Sequence, residues 1–326
     1  MLKVAMLSYW HVHAWDYTRQ VLQRNDCQIV AVWDEIAARG KEAAEKLGVP
    51  FYDNLDELLA QSGAEAVVVD TPTNIHEDVM IAAAKAGKHI FTEKVMSATT
   101  TGADAIIAAV RDAGVKFMIS LPRLTEERPL YAKKVIDDGL VGDVTTVRIR
   151  WAHNGALANW LPEHFYSAEQ CGGGAMIDLG CHPMYLAVHY LGMPKSVTAQ
   201  YGHVTGREVE DNAVVVLNYE NGALAIVEAG FASVHSPSTI EVYGTEGALI
   251  IGRKVELRSN KLAQGDHAGW VEPERLADPI RTPLDQWVDE IISGTQPTIS
   301  IEQGRNLTRL MEAANLSAAE GRTVVL

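Results

Sequence analysis

The chain has 326 residues, 47% of them hydrophobic and 21% charged, so at about 150 residues per domain it holds two domains with enough core to fold without disulfides or metal. Its formal net charge of −14 excludes a general binder of nucleic acid or of an anionic membrane, because like charges repel. Cys27, Cys171 and Cys181 form no CxxC pair, which excludes a disulfide framework and a thiolate zinc ribbon. With no apolar run of about 18 residues and a start read as mature protein, the chain is expected in the reducing cytoplasm.

The first part of the chain alternates two periods. Short β-branched runs at 3–8, 29–34, 66–70, 89–93 and 116–121 predict buried parallel strands. Between them, 36–47, 55–61, 77–86 and 102–113 carry helical patterns. Gly48, Gly63, Gly87 and Gly114 stand just past those helices, where a left-handed cap is wanted. Strand–helix alternation with short loops predicts an α/β fold with a doubly wound parallel sheet over residues 1–122, and such sheets bind ligands at the carboxyl ends of their strands.

From residue 123 to 326 the rhythm changes to a second, α+β domain. A helix at 129–138 precedes a strand-like run at 144–153 and a loop and helix around 171–191. Further strands are expected at 196–204, 212–219, 224–232 and 239–243, with Asn221-Gly222 as a hairpin signal. Helices at 284–293 and 301–316 close the chain, and 261–281 reads as a long surface loop. The strands predict an open, mostly antiparallel sheet with both faces fairly apolar and too few helices to cover both. An uncovered apolar face implies a homodimer or homotetramer.

The turn after the first strand reads Ser8-Tyr9-Trp10-His11-Val12-His13-Ala14. A dinucleotide site wants glycines here so that backbone approaches the pyrophosphate. Ser8, Trp10 and His13 occupy those slots, so the turn taken alone is equally a strand–helix turn packed by aromatics. Asp34 ends the second strand twenty-one residues after His13, where an acidic residue accepts the adenosine ribose hydroxyls and repels a 2′-phosphate; that favours NAD over NADP. The same Asp also suits a helix cap. Thr71-Pro72-Thr73-Asn74-Ile75-His76 follows the third strand and offers small polar groups to a ribose or pyrophosphate, or forms a plain loop. Glu93 and Lys94 end the fourth strand, where an ammonium can donate to an alcohol or ketone oxygen or simply form an ion pair.

The most specific segment is Gly172-Gly173-Gly174-Ala175-Met176-Ile177-Asp178-Leu179-Gly180-Cys181-His182. The glycines let backbone pass close to something and start a helix. Asp178 and His182 are four apart, on one helical face, and such a pair can take a proton from a hydroxyl or sit satisfied in a core. His153, His164, Trp160 and Tyr166 are candidates for the substrate pocket, the aromatics as a wall for a sugar ring or as core. No HExxH or EF-hand spacing occurs, and no metal is expected.

These features together, with Ala86-Gly87-Lys88-His89 and the ending Ala318-Ala319-Glu320-Gly321-Arg322, resemble the Gfo/Idh/MocA oxidoreductase family over essentially the whole chain. The resemblance implies an N-terminal Rossmann domain and a C-terminal domain whose open sheet often makes oligomer contacts. It also implies NAD(P)-dependent oxidation or reduction of sugars, cyclitols and their derivatives. Lys94 matches the lysine of the family's Glu-Lys-Pro motif, with Val95 in place of the proline. Asp178 and His182 match the substrate-binding and catalytic pair, and Arg123 falls near a common arginine. His11, His13, Ala14 and Tyr17 resemble a subgroup with an H-x-H first turn. The expected cofactor-binding set is Ser8, Trp10, His11, His13, Asp34, Thr71, Pro72, Asn74, His76, Glu93 and Lys94. The expected activity is hydride transfer between NAD and a polyhydroxylated substrate, with His182 as general base in oxidation. The alternatives are a redox-assisted lyase or hydrolase with tightly held NAD, and a non-catalytic sugar or nucleotide sensor.

Overall fold

The computed structural model describes every residue except 263–268, and the chain forms two compact units. The first joins Met1–Ser120 to Arg281–Thr308, the second Leu121–Ile280 to Arg309–Leu326. Residues 281–308, read above as part of a 123–326 domain, therefore pack with the first unit. The reason is burial: Trp287, on the helix Pro283–Ser293, is fully buried with its ring 5.7 Å from Phe91. Arg24 adds ion pairs to Asp285 and Asp289 on the same helix, at 2.8 and 2.9 Å.

The first unit runs β1 (Leu2–Leu7), α1 (Ala14–Gln23), β2 (Cys27–Trp33), α2 (Ala37–Leu47), β3 (Phe51–Tyr52), α3 (Leu55–Gln61), β4 (Ala66–Val69), α4 (His76–Lys85), β5 (His89–Thr92), α5 (Thr100–Ala113) and β6 (Phe117–Ile119). Its six strands lie in the order β3-β2-β1-β4-β5-β6 and all pair in parallel. That is the doubly wound order in which ligands meet the carboxyl edge. β4 is buried at every residue, as a strand covered on both faces must be. Gly48, Gly63, Gly87 and Gly114 all have φ between 65° and 73°, the left-handed ends that glycine serves without a Cβ penalty.

The second unit contains α6 (Glu127–Asp137), β7 (Val144–Ala152), α7 (Gly155–Ala158), α8 (Ala168–Cys171), α9 (Cys181–Leu191), β8 (Ser196–Gly202), β9 (Asn212–Asn218), β10 (Leu224–Gly230), β11 (Thr239–Gly244), β12 (Gly247–Ile251), β13 (Val255–Ser259) and β14 (Val324–Val325). The eight strands form one sheet ordered β13-β12-β11-β7-β10-β9-β8-β14. Among the described residues only β7 and β10 pair in parallel in this sheet. The β12–β13 hairpin extends the sheet beyond the strands predicted from sequence. Of the expected loop 261–281, residues 263–268 lie outside the described residues, and Val271 bridges to Leu257.

The sheet's outward face mixes apolar and charged side chains. Ala213, Val215, Leu217, Ala225, Val227 and Ala229 point to the core and are buried. The opposite face presents Val214, Val216, Leu224, Ile226, Tyr243 and Ile250 beside an Arg148–Glu228 ion pair of 3.1 Å. Among the described residues no helix is long and apolar enough to cross a membrane.

Candidate functional site

In the first unit the strand ends place Ser8, Asp34, Asp70, Glu93 and Ser120 at one carboxyl edge. The first turn is closed on itself. Ser8 takes a positive φ of 78°, the conformation for which glycine is usual. The Tyr9 N–H donates to Asp34 Oδ2, the Trp10 N–H to Ser8 Oγ, the His11 N–H to the Asp70 carbonyl and the His13 N–H to His11 Nδ1, at 2.8–3.2 Å. Trp10 is buried, so aromatic packing and internal acceptors, and not glycines, set the shape of this turn.

Asp34 is fully buried and its acceptor positions are filled. Beside the Tyr9 N–H it takes the Ile36 N–H at 2.7 Å and both Nε and Nη2 of Arg39 at 2.8 and 2.7 Å. Arg39 also pairs with Glu35 at 2.6 Å and reaches Ser8 Oγ at 3.4 Å. Arg39 was missed in the sequence because an arginine in the first turn of a helix is unremarkable until its partner is known.

Glu93 is the hub of the edge. Tyr17 donates to its Oε2. His13 Nδ1 stands 3.2 Å and His11 Nδ1 3.8 Å from that oxygen, and Lys94 Nζ stands 4.0 Å from Oε1. Burial pushes the Glu93 carboxyl up, but His11, His13 and Lys94 outweigh it and hold it well below the usual carboxylate range. The ligand-type atoms of His11, His13 and Glu93 fall within 4.8 Å of one another. Asp70 is the contrast. It is fully buried, neither carboxyl oxygen has a hydrogen-bond partner, and burial followed by the Glu93 charge raises its pKa well above the ordinary value. Thr71 Oγ1 beside it is also buried and unpartnered. These unspent polar atoms lie at the edge where a dinucleotide cofactor of this fold belongs, so the residues present fit such a group. Asn74 is exposed and Pro72 buried. His76 is buried, its ring nitrogens 2.8 and 2.9 Å from the Val95 and Thr71 carbonyl oxygens, so it ties the two loops together.

In the second unit the glycine segment folds around Glu210. The Gly174 and Met176 N–H groups donate to its two carboxylate oxygens at 2.8 and 2.9 Å, and the Ala175 N–H to its carbonyl at 2.9 Å. A Cβ on Gly174 would come within 2.2 Å of the Glu210 carbonyl oxygen. The close approach that the glycines serve is therefore to the chain's own backbone. Sequence gave no sign of this, since the partner lies thirty-six residues on.

Asp178 does not sit in a plain α-helix. Met176–Gly180 is a π turn leading into α9, the kind of widened turn that recurs at functional sites. His182 follows it, buried, with Nδ1 3.0 Å from Tyr185 Oη. Tyr185 Oη in turn accepts the Arg123 N–H at 3.1 Å. The Arg123 guanidinium lies 5.3 Å over the Trp151 ring, which is 6.4 Å from the His182 ring. A second aromatic group stacks His153 on Phe231 at 5.1 Å and 7°, with Trp160 4.6 Å from His153 and Arg207 3.6 Å over Tyr166. Burial lowers the His153 pKa while the Asp178 charge acts the other way, so Asp178 links the glycine segment to this group. His164 stacks near Phe165 at 5.1 Å.

Residues 6–121 match the oxidoreductase family with an NAD-binding Rossmann fold, and residues 130–250 match the GFO/IDH/MocA C-terminal domain. The chain belongs to the GFO/IDH/MocA family. It is 28% identical over 314 residues to a myo-inositol 2-dehydrogenase of Thermotoga maritima, covering 93% of this chain and 92% of that one. An NAD-binding protein from Listeria innocua superposes with a TM-score of 0.87 at 24% identity, over 99% and 96% of the two chains. GenD2 of gentamicin A biosynthesis, solved in complex with NAD, gives 0.83 at 26% identity over 100% and 96%. The chain is thus an oxidoreductase of a family whose inositol and sugar dehydrogenases act on CH–OH groups.

Proposed function

We propose that this GFO/IDH/MocA protein is an NAD-dependent dehydrogenase of sugars, cyclitols or related polyhydroxylated molecules. The observation that carries the reading is the family match over both parts of the chain, to which Lys94, Asp178 and His182 add side chains whose chemistry can hold an oxygen and move its proton. NAD supplies the hydride acceptor in oxidation. Lys94, almost fully buried, stabilises the substrate oxygen as it gains negative charge. His182 exchanges the proton on that oxygen. Asp178 orients the substrate hydroxyls, with Arg123, His153, Trp160, His164 and Tyr166 shaping the pocket. Ser8, Trp10, His11, His13, Asp34, Thr71, Pro72, Asn74, His76 and Glu93 belong to the cofactor side. Three buried cysteines without a disulfide support a reducing cytoplasm.

The preference for NAD over NADP follows from charge. Asp34 and Glu35 set two carboxylates against the single Arg39 guanidinium, which disfavours a 2′-phosphate. Ribose hydroxyls that reach Asp34 must displace a donor already there, so NAD affinity is modest. Isothermal titration is expected to show NAD binding at least about tenfold, or about 1.4 kcal/mol, better than NADP. Equal affinities, or a preference for NADP, overturn this assignment.

We also propose a homodimer or homotetramer joined through the outward sheet face. Val214, Val216 and Ile226 form its apolar strip, and Arg148 with Glu228 can exchange partners across a two-fold axis. Light scattering at micromolar concentration is expected to give a multiple of 35.5 kDa. A monomer alone contradicts the proposal.

A further inference from the structure

We infer that Tyr185 is the positioning residue for His182: its hydroxyl holds Nδ1 and leaves Nε2 as the nitrogen that exchanges a proton with a substrate. The inference deepens the reading of His182 given above and rests on it. Tyr185 lies three residues beyond His182 in α9, buried, with its ring edge-on to the imidazole at 5.6 Å and 86°. Its oxygen is fixed from two directions, by the Arg123 main-chain N–H at 3.1 Å and by His182 Nδ1 at 3.0 Å. The first of these comes from the Pro122–Thr125 turn and not from a mobile side chain.

A phenol carries two lone pairs and one hydrogen. With the Arg123 N–H on one lone pair, a lone pair and the hydrogen remain for Nδ1. When Nδ1 is bare the hydroxyl donates to it. When Nδ1 carries a hydrogen the hydroxyl accepts it. Tyr185 therefore keeps its contact with the ring in either protonation state, which a carboxylate, an acceptor only, could not do. Burial raises the Tyr185 pKa well above the ordinary phenol value, so the group serves as a neutral hydroxyl throughout. The nitrogen a hydrogen bond holds decides which one is left to do chemistry. Because the bond also fixes the ring's rotation, it sets the direction in which Nε2 points.

The test is a double-mutant cycle. Tyr185→Phe keeps the ring and removes Oη. It is expected to lower kcat by about tenfold to thirtyfold with the substrate KM within about threefold, the scale on which loss of one orienting hydrogen bond acts in the transition state. In a His182→Asn background the same change is expected to lower kcat by less than about twofold, because a residue acting through His182 has nothing left to act on. Wild-type kcat in Tyr185→Phe, or an equal loss in both backgrounds, overturns the inference. A measurement on the wild type guards against a variant that folds poorly. The long-range ¹H–¹⁵N spectrum of His182, assigned by its absence in His182→Asn, is expected to show a hydrogen-bonded Nδ1; a free Nδ1 contradicts the proposal. If His182→Asn alone turns over normally, the reading of His182 fails, and the spectrum still decides the Tyr185 contact separately.

Discussion

His182→Ala is expected to lower turnover by about 10²–10⁴ while NAD binds as before, the range for loss of a group that moves a proton in the transition state. The two effects separate because the residues assigned to NAD lie in the first unit and His182 in the second. Lys94→Ala is expected to fall by a comparable factor, since an ammonium aimed at a developing alkoxide acts mainly in the transition state. Asp178→Ala raises the substrate KM as well, because it also removes contacts made in the ground state. A purely structural role for His182 makes a different forecast. Removing a buried group that is bonded to Tyr185 would then lower thermal stability, and substrate turnover per folded molecule would hold. Melting curves and NAD titrations beside the kinetics tell the two apart. Full turnover in His182→Ala, on a substrate the wild type accepts, ends this mechanism.

The second large effect is on stability. Asp70→Asn is expected to stabilise the protein by about 1–3 kcal/mol at neutral pH, because the amide has no charge to desolvate and none to set against Glu93. The sign follows from linkage. Burial and the nearby Glu93 raise the folded-state pKa of Asp70. Above the unfolded value the folded chain therefore holds more of that proton than the unfolded chain does. Stability from this site is greatest below the unfolded value near 3.8 and falls as pH rises toward the raised folded value. The gain from Asp70→Asn should accordingly widen between pH 4 and neutrality, as read by chemical denaturation at a series of pH values. A gain that shrinks as pH rises, or a loss at every pH, contradicts the account. Asp70 sits at the edge assigned to NAD, so a stabilised variant that also binds NAD more weakly would mark it as a site where stability gives way to function.

The first unit was the more legible half. Buried parallel strands write themselves as continuous apolar runs, as at Ala66–Val69, and each glycine past a helix took the left-handed turn its position demanded. Asp34, Glu93 and Lys94 were found because strand ends are easy to locate. Arg39 was not, and although His11, His13 and Tyr17 stood out, their contacts with Glu93 did not, because these pairings exist only once the sheet brings the residues together. In the second unit the glycine–Asp178–His182 segment stood out, yet its geometry did not. Glu210 lies far along the chain, and the π turn at Met176–Gly180 has no periodicity that differs from a helix over five residues. Tyr185 was invisible for a plainer reason. An aromatic at helical spacing reads as core, and only the hydroxyl's neighbours distinguish it. The outward face of the sheet keeps Val214, Val216, Leu224 and Ile226 beside Arg148 and Glu228, but alternate valines look alike in sequence, so which face is buried shows only in the register.

The most direct measurement mixes the purified protein with NAD and a panel of cyclitols and aldoses, one labelled with deuterium at the carbinol carbon. The account predicts NADH that accumulates in step with oxidised product and carries the deuterium, drawn from freely exchanging NAD. Nicotinamide that is reduced and reoxidised within each turnover with no net NADH, or a protein that binds no NAD at any concentration, contradicts it.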